Sequence, residues 1–144
     1  MDVYDDFTIL LVEDDEGHAR LIEKNLRRLN ISNKLIKIND GREAINFMFR
    51  QGQFVGQGPL PPLIVLLDIN LPSLSGYQIL KTIKTDRRTK NVVVIVVTTT
   101  ENPVEIERCY SLGCNAYVTK PVEYDQFVKT IRQLGGFMSM VKVA

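Results

Sequence analysis

Four continuous apolar runs divide the chain, and a polar residue follows or ends each of them. The runs are rich in Val, Ile and Leu and occupy residues 9–12, 63–67, 92–97 and 116–119. Runs of this length without polar alternation are typical of strands that are buried on both faces, as in a parallel sheet covered by helices. A shorter apolar stretch at residues 35–38 predicts one more strand. The pattern therefore predicts a buried parallel sheet.

Helical periodicity follows each predicted strand. Apolar side chains recur there at spacings of three and four residues, which predicts amphipathic helices over about residues 16–29, 41–52, 76–85, 102–112 and 123–134. Glycines mark two of the helix ends, Gly113 for the fourth helix and Gly135-Gly136 for the fifth. Residues 51–62 contain three Gly and three Pro, and we expect them to form a surface loop.

Strand and helix alternate five times, which predicts an α/β doubly wound fold with helices on both faces of a five-stranded parallel sheet. Periodicity does not give the strand order. The flavodoxin-like order 2-1-3-4-5 of a (βα)5 fold is the one we expect, and its switch point lies beside the first strand. A chain of 144 residues fits one domain, and we expect its core at about residues 7–134 and a C-terminal tail at residues 135–144.

Polar side chains gather where the predicted strands end. Glu13 and Asp14 follow the first strand, Asp68 follows the third, Thr98 the fourth and Lys120 the fifth. Ligands of open parallel sheets bind at the edge formed by the carboxyl ends of the strands. The strand order above would also place Glu13 and Asp14 next to Asp68. These residues are therefore the candidate functional site.

Three clustered carboxylates need a compensating charge. Their repulsion is roughly 1 kcal/mol per pair in water and about 4 kcal/mol at the effective dielectric of a protein surface. Magnesium suits a site built only of oxygen ligands, whereas zinc would want His or Cys nearby, and His18 is the one histidine of the chain. A metal and Lys120 would together neutralise an incoming phosphoryl group, and a carboxylate can accept that group as an aspartyl phosphate. The cluster therefore predicts phosphoryl transfer.

The order of four motifs resembles the receiver domain of bacterial response regulators. The motifs are Val-Glu-Asp-Asp at residues 12–15, Asp-Ile-Asn-Leu-Pro at 68–72 with Gly76, Thr98-Thr99, and Tyr-Val-Thr-Lys-Pro at 117–121. Each motif alone is common. Their order and their positions at strand ends make the combination specific, and the resemblance covers essentially the whole chain.

The resemblance implies a function for each carboxylate. Asp68 would be the phosphoacceptor. Asp14 and Asp68, with the main-chain carbonyl of Asn70, would bind Mg²⁺, and Glu13 would act on the metal through water. The implied protein is a phosphoacceptor that assists its own phosphorylation and dephosphorylation, and is not a turnover enzyme.

The resemblance also implies a switch. Thr98 and Lys120 would contact the phosphoryl group, and the peptide bond between Lys120 and Pro121 would be cis, as it is in the family. Phosphorylation would draw Thr98 toward the phosphoryl oxygen, and Tyr117 would turn inward, altering the face formed by helix four, strand five and helix five. A simple core aromatic is the alternative interpretation of Tyr117.

Further features are similar to the small stand-alone receivers that work with phytochrome-type histidine kinases of cyanobacteria. These features are the Pro-rich loop, Asn-Leu-Pro after Asp68, the paired threonines, Asn-Ala-Tyr at residues 115–117 and an apolar C-terminus. Phe137-Met138 is a departure, because an aromatic pair is common there in those receivers. The implied partners are a phytochrome-type sensor histidine kinase, a second copy of the chain in a homodimer, and an unknown downstream protein. No output domain is expected, because the sequence ends eight residues after Gly136.

Charge and composition narrow the function classes. Eighteen basic and seventeen acidic residues give a net charge of +1, which offers no support for a nucleic-acid surface. No apolar stretch approaches the roughly 20 residues that span a bilayer, and the acidic start differs from a secretory signal. We therefore expect a cytoplasmic protein, with Cys109 and Cys114 reduced.

Three rival functions stay open at this point. A flavodoxin-type FMN carrier shares the topology, but the acidic residues after the first strand would repel the FMN phosphate. An aspartate-based phosphohydrolase would want an acid at position 70, where this chain has Asn70. A phosphorylation-independent interaction module on a receiver scaffold would keep the cluster without using it. Among neighbouring residues, Asp15 is expected at the start of the first helix, and His18 is expected to face solvent or to cap that helix.

Overall fold

The computed structural model describes the backbone of residues 7–143 and the side chains of residues 7–134. Strands and helices alternate along this part of the chain, as the hydrophobic pattern predicts. They are β1 (Thr8–Val12), α1 (Glu16–Arg28), β2 (Leu35–Ile38), α2 (Gly41–Met48), β3 (Leu63–Leu67), α3 (Gly76–Thr85), β4 (Val93–Thr98), α4 (Pro103–Ser111), β5 (Ala116–Thr119) and α5 (Tyr124–Val143).

The strands form one parallel sheet in the order β2-β1-β3-β4-β5, which confirms the predicted order. Val12 of β1 is paired with Leu67 of β3, so the residues that follow them, Glu13 and Asp68, leave the sheet side by side. The amide of Asp68 donates to the carbonyl of Val12 at 3.1 Å. This register assembles the candidate site at the carboxyl edge of the sheet.

Two hydrophobic cores cover the two faces of the sheet. Leu10, Val65 and Val94 point into the core that is closed by α2, α3 and α4. Their neighbours in the strands, such as Ile9 and Ile64, point into the core that is closed by α1 and α5. Because successive side chains of a strand alternate between faces, both faces must be apolar, and this explains the unbroken apolar runs.

Polar side chains cap the helices that flank the site. Asp15 is the N-cap of α1, as predicted, and its carboxylate accepts the amide of His18 at 2.9 Å. Ser75 caps α3 in a capping box with Gln78. Such caps satisfy amides that have no partner within the helix, so each helix starts at a defined residue beside the sheet edge.

Two predicted helix ends are wrong. The second helix was expected to reach about residue 52 but ends at Met48; Arg50, at φ 53°, leaves the helical conformation, and a 3-10 turn, Gly52–Phe54, begins the loop. The fifth helix was expected to stop at Gly135-Gly136 but continues to Val143, so the predicted tail prolongs α5. A glycine inside a helix lowers the stability of the helix by only about 1 kcal/mol relative to alanine, so a helix can continue through it. Gly113, at φ 102°, does follow the end of α4 as predicted.

Candidate functional site

The structure brings the three predicted carboxylates together. One carboxylate oxygen from each of Glu13, Asp14 and Asp68 lies within 4.8 Å of the others. Glu13 and Asp68 are 4% and 9% exposed, whereas Asp14 is exposed at the rim. Two buried acids beside an exposed one form an acidic pocket that is open to solvent on one side.

Lys120 provides the cation that balances this pocket. Its Nζ donates to Glu13 Oε1 at 2.5 Å and to Asp68 Oδ2 at 3.4 Å, and its side chain is 11% exposed. The Lys120 main-chain amide donates to the Thr98 carbonyl at 2.8 Å, which holds the end of β5 beside the end of β4. The Lys120-Pro121 peptide is cis, as predicted. An ammonium at this distance offsets the mutual repulsion of the carboxylates.

Burial and charge shift the pKa values of this pair. Burial raises the pKa of Glu13, and the neighbouring Asp68 raises it further against the opposing effect of Lys120. Burial alone would lower the pKa of Lys120, but the hydrogen bond to Glu13 and the charges of Asp68 and Glu13 outweigh it and raise that pKa. The lysine therefore stays cationic while it holds the acidic pocket together.

Asn70 and Thr98 lie next to Asp68. The main-chain amide of Asn70 donates to Asp68 Oδ1 at 3.0 Å, and the side-chain nitrogen of Asn70 donates to the Thr98 hydroxyl at 3.4 Å. Thr98 ends β4 and is fully buried. Both residues are therefore in the predicted neighbourhood, and the metal-binding role of the Asn70 carbonyl stays a prediction.

Tyr117 lies in β5. Its ring packs against a hydrophobic core, and its hydroxyl donates to the main-chain carbonyl of Thr100 at 2.8 Å. Burial raises the pKa of the Tyr117 phenol to about 12, so the phenol remains a hydrogen-bond donor at neutral pH. The side chain thus connects β5 to the loop after β4, a contact that sequence reasoning missed because a main-chain acceptor has no residue signature.

His18 is exposed to solvent, as predicted, and its ring also reaches the site. Its side chain is 49% exposed, yet Nδ1 lies 3.2 Å from Lys120 Nζ and 3.7 Å from Glu13 Oε1. The N-cap at Asp15 is the sequence signal that could have placed His18 near the site. A residue three positions after the N-cap lies on the first turn of α1, which follows the end of β1. The imidazole therefore borders the acidic pocket.

Comparison with known proteins assigns this fold and pocket to a family. The family model described as response regulator receiver domain matches residues 9–132. The chain belongs to the response regulator receiver family. This match favours a receiver over the flavodoxin-type carrier and the phosphohydrolase, and it agrees with the resemblance of the four motifs.

Several relatives cover nearly all of this receiver domain. A receiver domain structure from Rhodospirillum rubrum is 47% identical with a TM-score of 0.75, covering 92% of this chain and 94% of that one. The structure of the phosphorylated cyanobacterial phytochrome response regulator RcpA is 30% identical with a TM-score of 0.76, covering 91% of this chain and 92% of that one. This receiver domain is therefore related to phytochrome signalling proteins.

A third relative has a solved structure with a bound metal ion. Response regulator Rcp1 of Synechocystis sp. is 36% identical over 129 residues, which are 90% of this chain and 86% of Rcp1. A solved structure of Rcp1 is an Mn²⁺-bound form, with 34% identity and a TM-score of 0.75, covering 90% of this chain and 92% of that one. In this chain Glu13, Asp14 and Asp68 offer three carboxylate oxygens, the type of ligand that hard divalent cations prefer.

Within residues 7–143, no helix combines the length and the apolar character that crossing a bilayer requires. Cys109 and Cys114 are both buried and unbridged, in agreement with the prediction that they are reduced.

Proposed function

We propose that this receiver domain accepts a phosphoryl group on Asp68 from a sensor histidine kinase, in a magnesium-dependent reaction. The central observation is the position of Asp68, whose two carboxylate oxygens contact the Asn70 amide and the Lys120 ammonium. The same carboxylate lies among the acids Glu13 and Asp14. A carboxylate held by fixed donors beside a metal-binding cluster is suited to act as a phosphoryl acceptor.

The donor set fits Mg²⁺. The three side chains that converge offer only carboxylate oxygens, the hard ligands that Mg²⁺ prefers. Asp14 and Asp68, with the Asn70 carbonyl, would hold the ion directly, and Glu13 would hold it through water. When bound, the ion supplies positive charge that neutralises the incoming phosphoryl oxygens.

Residues of the chain itself would position the phosphoryl group. Lys120 is a cation next to Asp68, and in this proposal its ammonium exchanges the carboxylate contact for a phosphoryl oxygen. Thr98 would donate its hydroxyl to another oxygen. Because Tyr117 is bonded to the carbonyl of Thr100, a movement of this loop would be passed to the aromatic ring in β5, and so to the face formed by α4, β5 and α5.

We further propose a phytochrome-type histidine kinase as the donor and signalling as a cytoplasmic homodimer toward a downstream protein. The relationship to RcpA, a cyanobacterial phytochrome response regulator, supports the donor class. In this proposal residues 1–144 form one receiver domain, and phosphorylation and its reversal are assisted by the domain without turnover of a free substrate.

The proposal is tested by the mass of the intact protein after incubation with acetyl phosphate, with and without Mg²⁺. Wild type is expected to gain one phosphoryl group only with the metal. Asp68→Asn, which keeps the shape and removes the nucleophile, is expected to gain none. Asp125→Asn, at an exposed position in the first turn of α5, is the matched control and should behave as wild type.

The alternative function makes the opposite prediction. A phosphorylation-independent interaction module would stay unmodified under every condition while remaining folded by circular dichroism. Gain of a phosphoryl group by Asp68→Asn would instead contradict the assignment of the acceptor.

A further inference from the structure

The Lys120 ammonium has three protons, and the structure provides three acceptors for them. Nζ lies 2.5 Å from Glu13 Oε1, 3.2 Å from His18 Nδ1 and 3.4 Å from Asp68 Oδ2. An ammonium has three donors and no acceptor. The three contacts thus use its full hydrogen-bonding capacity, and one of them comes from a residue that the proposed chemistry does not include.

The contact requires one form of the His18 ring. Because Lys120 can only donate, Nδ1 of His18 must accept, and the ring proton is then on Nε2. The ring is held near Lys120 by the start of α1, where the His18 amide donates to the capping carboxylate of Asp15 at 2.9 Å. Besides Lys120, the charged groups that face the ring are Glu13 at 3.7 Å and Asp15 at 4.0 Å.

We propose that His18 is a positioning residue for Lys120. This inference rests on the proposed function, in which the lysine meets a phosphoryl oxygen on Asp68. Glu13 makes the shortest of the three contacts with the ammonium. His18 provides a second acceptor, from α1, and so limits the movement of the ammonium toward Glu13. A group held in place before the reaction need not be reoriented during it.

A pair of substitutions separates this role from simple packing. In His18→Asn the amide oxygen can take the place of Nδ1 as acceptor, whereas His18→Leu fills similar space without an acceptor. We expect His18→Leu to be phosphorylated by acetyl phosphate about threefold to tenfold more slowly at saturating donor and Mg²⁺, the size expected for one lost hydrogen bond. His18→Asn is expected to recover most of the rate, and the donor concentration at half-saturation should change little in either variant.

A second measurement observes the contact without metal or phosphoryl donor. His18 is the one histidine in the chain, so its ring nitrogens are assigned directly in a long-range ¹H–¹⁵N spectrum. In the neutral ring we expect Nδ1 to be the unprotonated nitrogen and Nε2 the protonated one. Lys120→Met should change the Nδ1 signal toward that of a ring without this hydrogen bond. An identical His18 spectrum in the wild type and the folded Lys120→Met variant would overturn the contact.

The outcomes distinguish the two proposals. If wild type takes up no phosphoryl group, the proposed function fails, and the role of His18 in it fails as well, whatever the spectrum shows. If wild type is phosphorylated and folded His18→Leu reacts at the same rate, the function stands and the positioning role is overturned. Slow reaction of both variants would also overturn it, because the restored acceptor would then have no effect.

Discussion

Two adjacent aspartates before α1 have different surroundings, because their side chains meet different partners. Asp14 contributes an oxygen to the acidic pocket with Glu13 and Asp68. Asp15, the next residue, caps α1, and the hydrogen bond from the His18 amide lowers the pKa of its carboxyl. At the residue scale, the sequence Glu-Asp-Asp therefore combines an acidic pocket with a helix start.

Substitution of each aspartate by asparagine tests this division. Mg²⁺ should raise the unfolding midpoint of the wild type, because an ion that binds only the folded state stabilises it, by about 2.7 kcal/mol at a hundredfold excess over Kd. Asp14→Asn is expected to lose most of this increment and, without metal, to be at least as stable as wild type because one repulsive charge is gone. Thermal unfolding with and without MgCl₂ measures both effects.

Asp15→Asn is the matched control for this prediction. Asparagine is also a good N-cap, so the variant should keep both its fold and the full stabilisation by Mg²⁺. Loss of the Mg²⁺ effect in Asp15→Asn with retention in Asp14→Asn would reverse the two assignments.

At the scale of elements, α3 starts directly against the segment that carries the proposed phosphoacceptor. The amide of Gly76 donates to the Ile69 carbonyl at 2.9 Å. A Cβ at Gly76 would lie 2.5 Å from Ile69 Cα and 2.6 Å from the Asp68 carbonyl oxygen. Main-chain atoms cannot move aside without shifting Asp68, so the absence of a side chain at Gly76 sets the distance between α3 and the end of β3.

Gly76→Ala should therefore be destabilised by about 1 to 3 kcal/mol, the usual cost of an added group in a closely packed place. The variant should also accept the phosphoryl group more slowly, because Asp68 is displaced.

Gly17→Ala in α1 is the control. The added Cβ would come no closer than 3.2 Å to another atom, Oδ1 of Asp15, and alanine favours the helical conformation. We expect it within about 1 kcal/mol of wild type. Urea unfolding that gives equal stabilities for the two variants would contradict the close approach.

At the scale of the whole molecule, both cysteines lie in the hydrophobic core between the sheet and helices α2, α3 and α4. Cys109 is fully buried and Cys114 is 7% exposed. Burial raises the pKa of Cys109 and raises that of Cys114 to about 11. Since the thiolate is the reactive form, these thiols are protected by both inaccessibility and protonation.

The folded protein should thus react very slowly with a thiol reagent such as DTNB at about pH 8, whereas both thiols should react in denaturant. Gln53→Cys, in the exposed turn after α2, is the control and should add one thiol that reacts at once in the folded protein. Fast labelling of the wild type at the rate of this variant would show that the core opens without global unfolding.

The sequence by itself determined most of this architecture. Strands buried on both faces leave continuous apolar runs, and the residue that ends each run must lie at one edge of a parallel sheet. That local rule, together with the flavodoxin-like strand order, predicted that Glu13, Asp14, Asp68, Thr98 and Lys120 are neighbours, and these residues do lie together at one edge of the sheet. Motif order then indicated the family.

Only the tertiary structure decided the contacts that cross between elements and the exact helix ends. His18 and Lys120 are 102 positions apart. The N-cap at Asp15 places His18 on the first turn of α1, but no local pattern shows that this turn faces the end of β5. Tyr117 bonds a main-chain carbonyl, which every residue possesses. The α5 helix passes through Gly135-Gly136 because a glycine lowers helix stability without forbidding it. Propensity and periodicity describe a segment, whereas the partner of a side chain is set by how the segments pack.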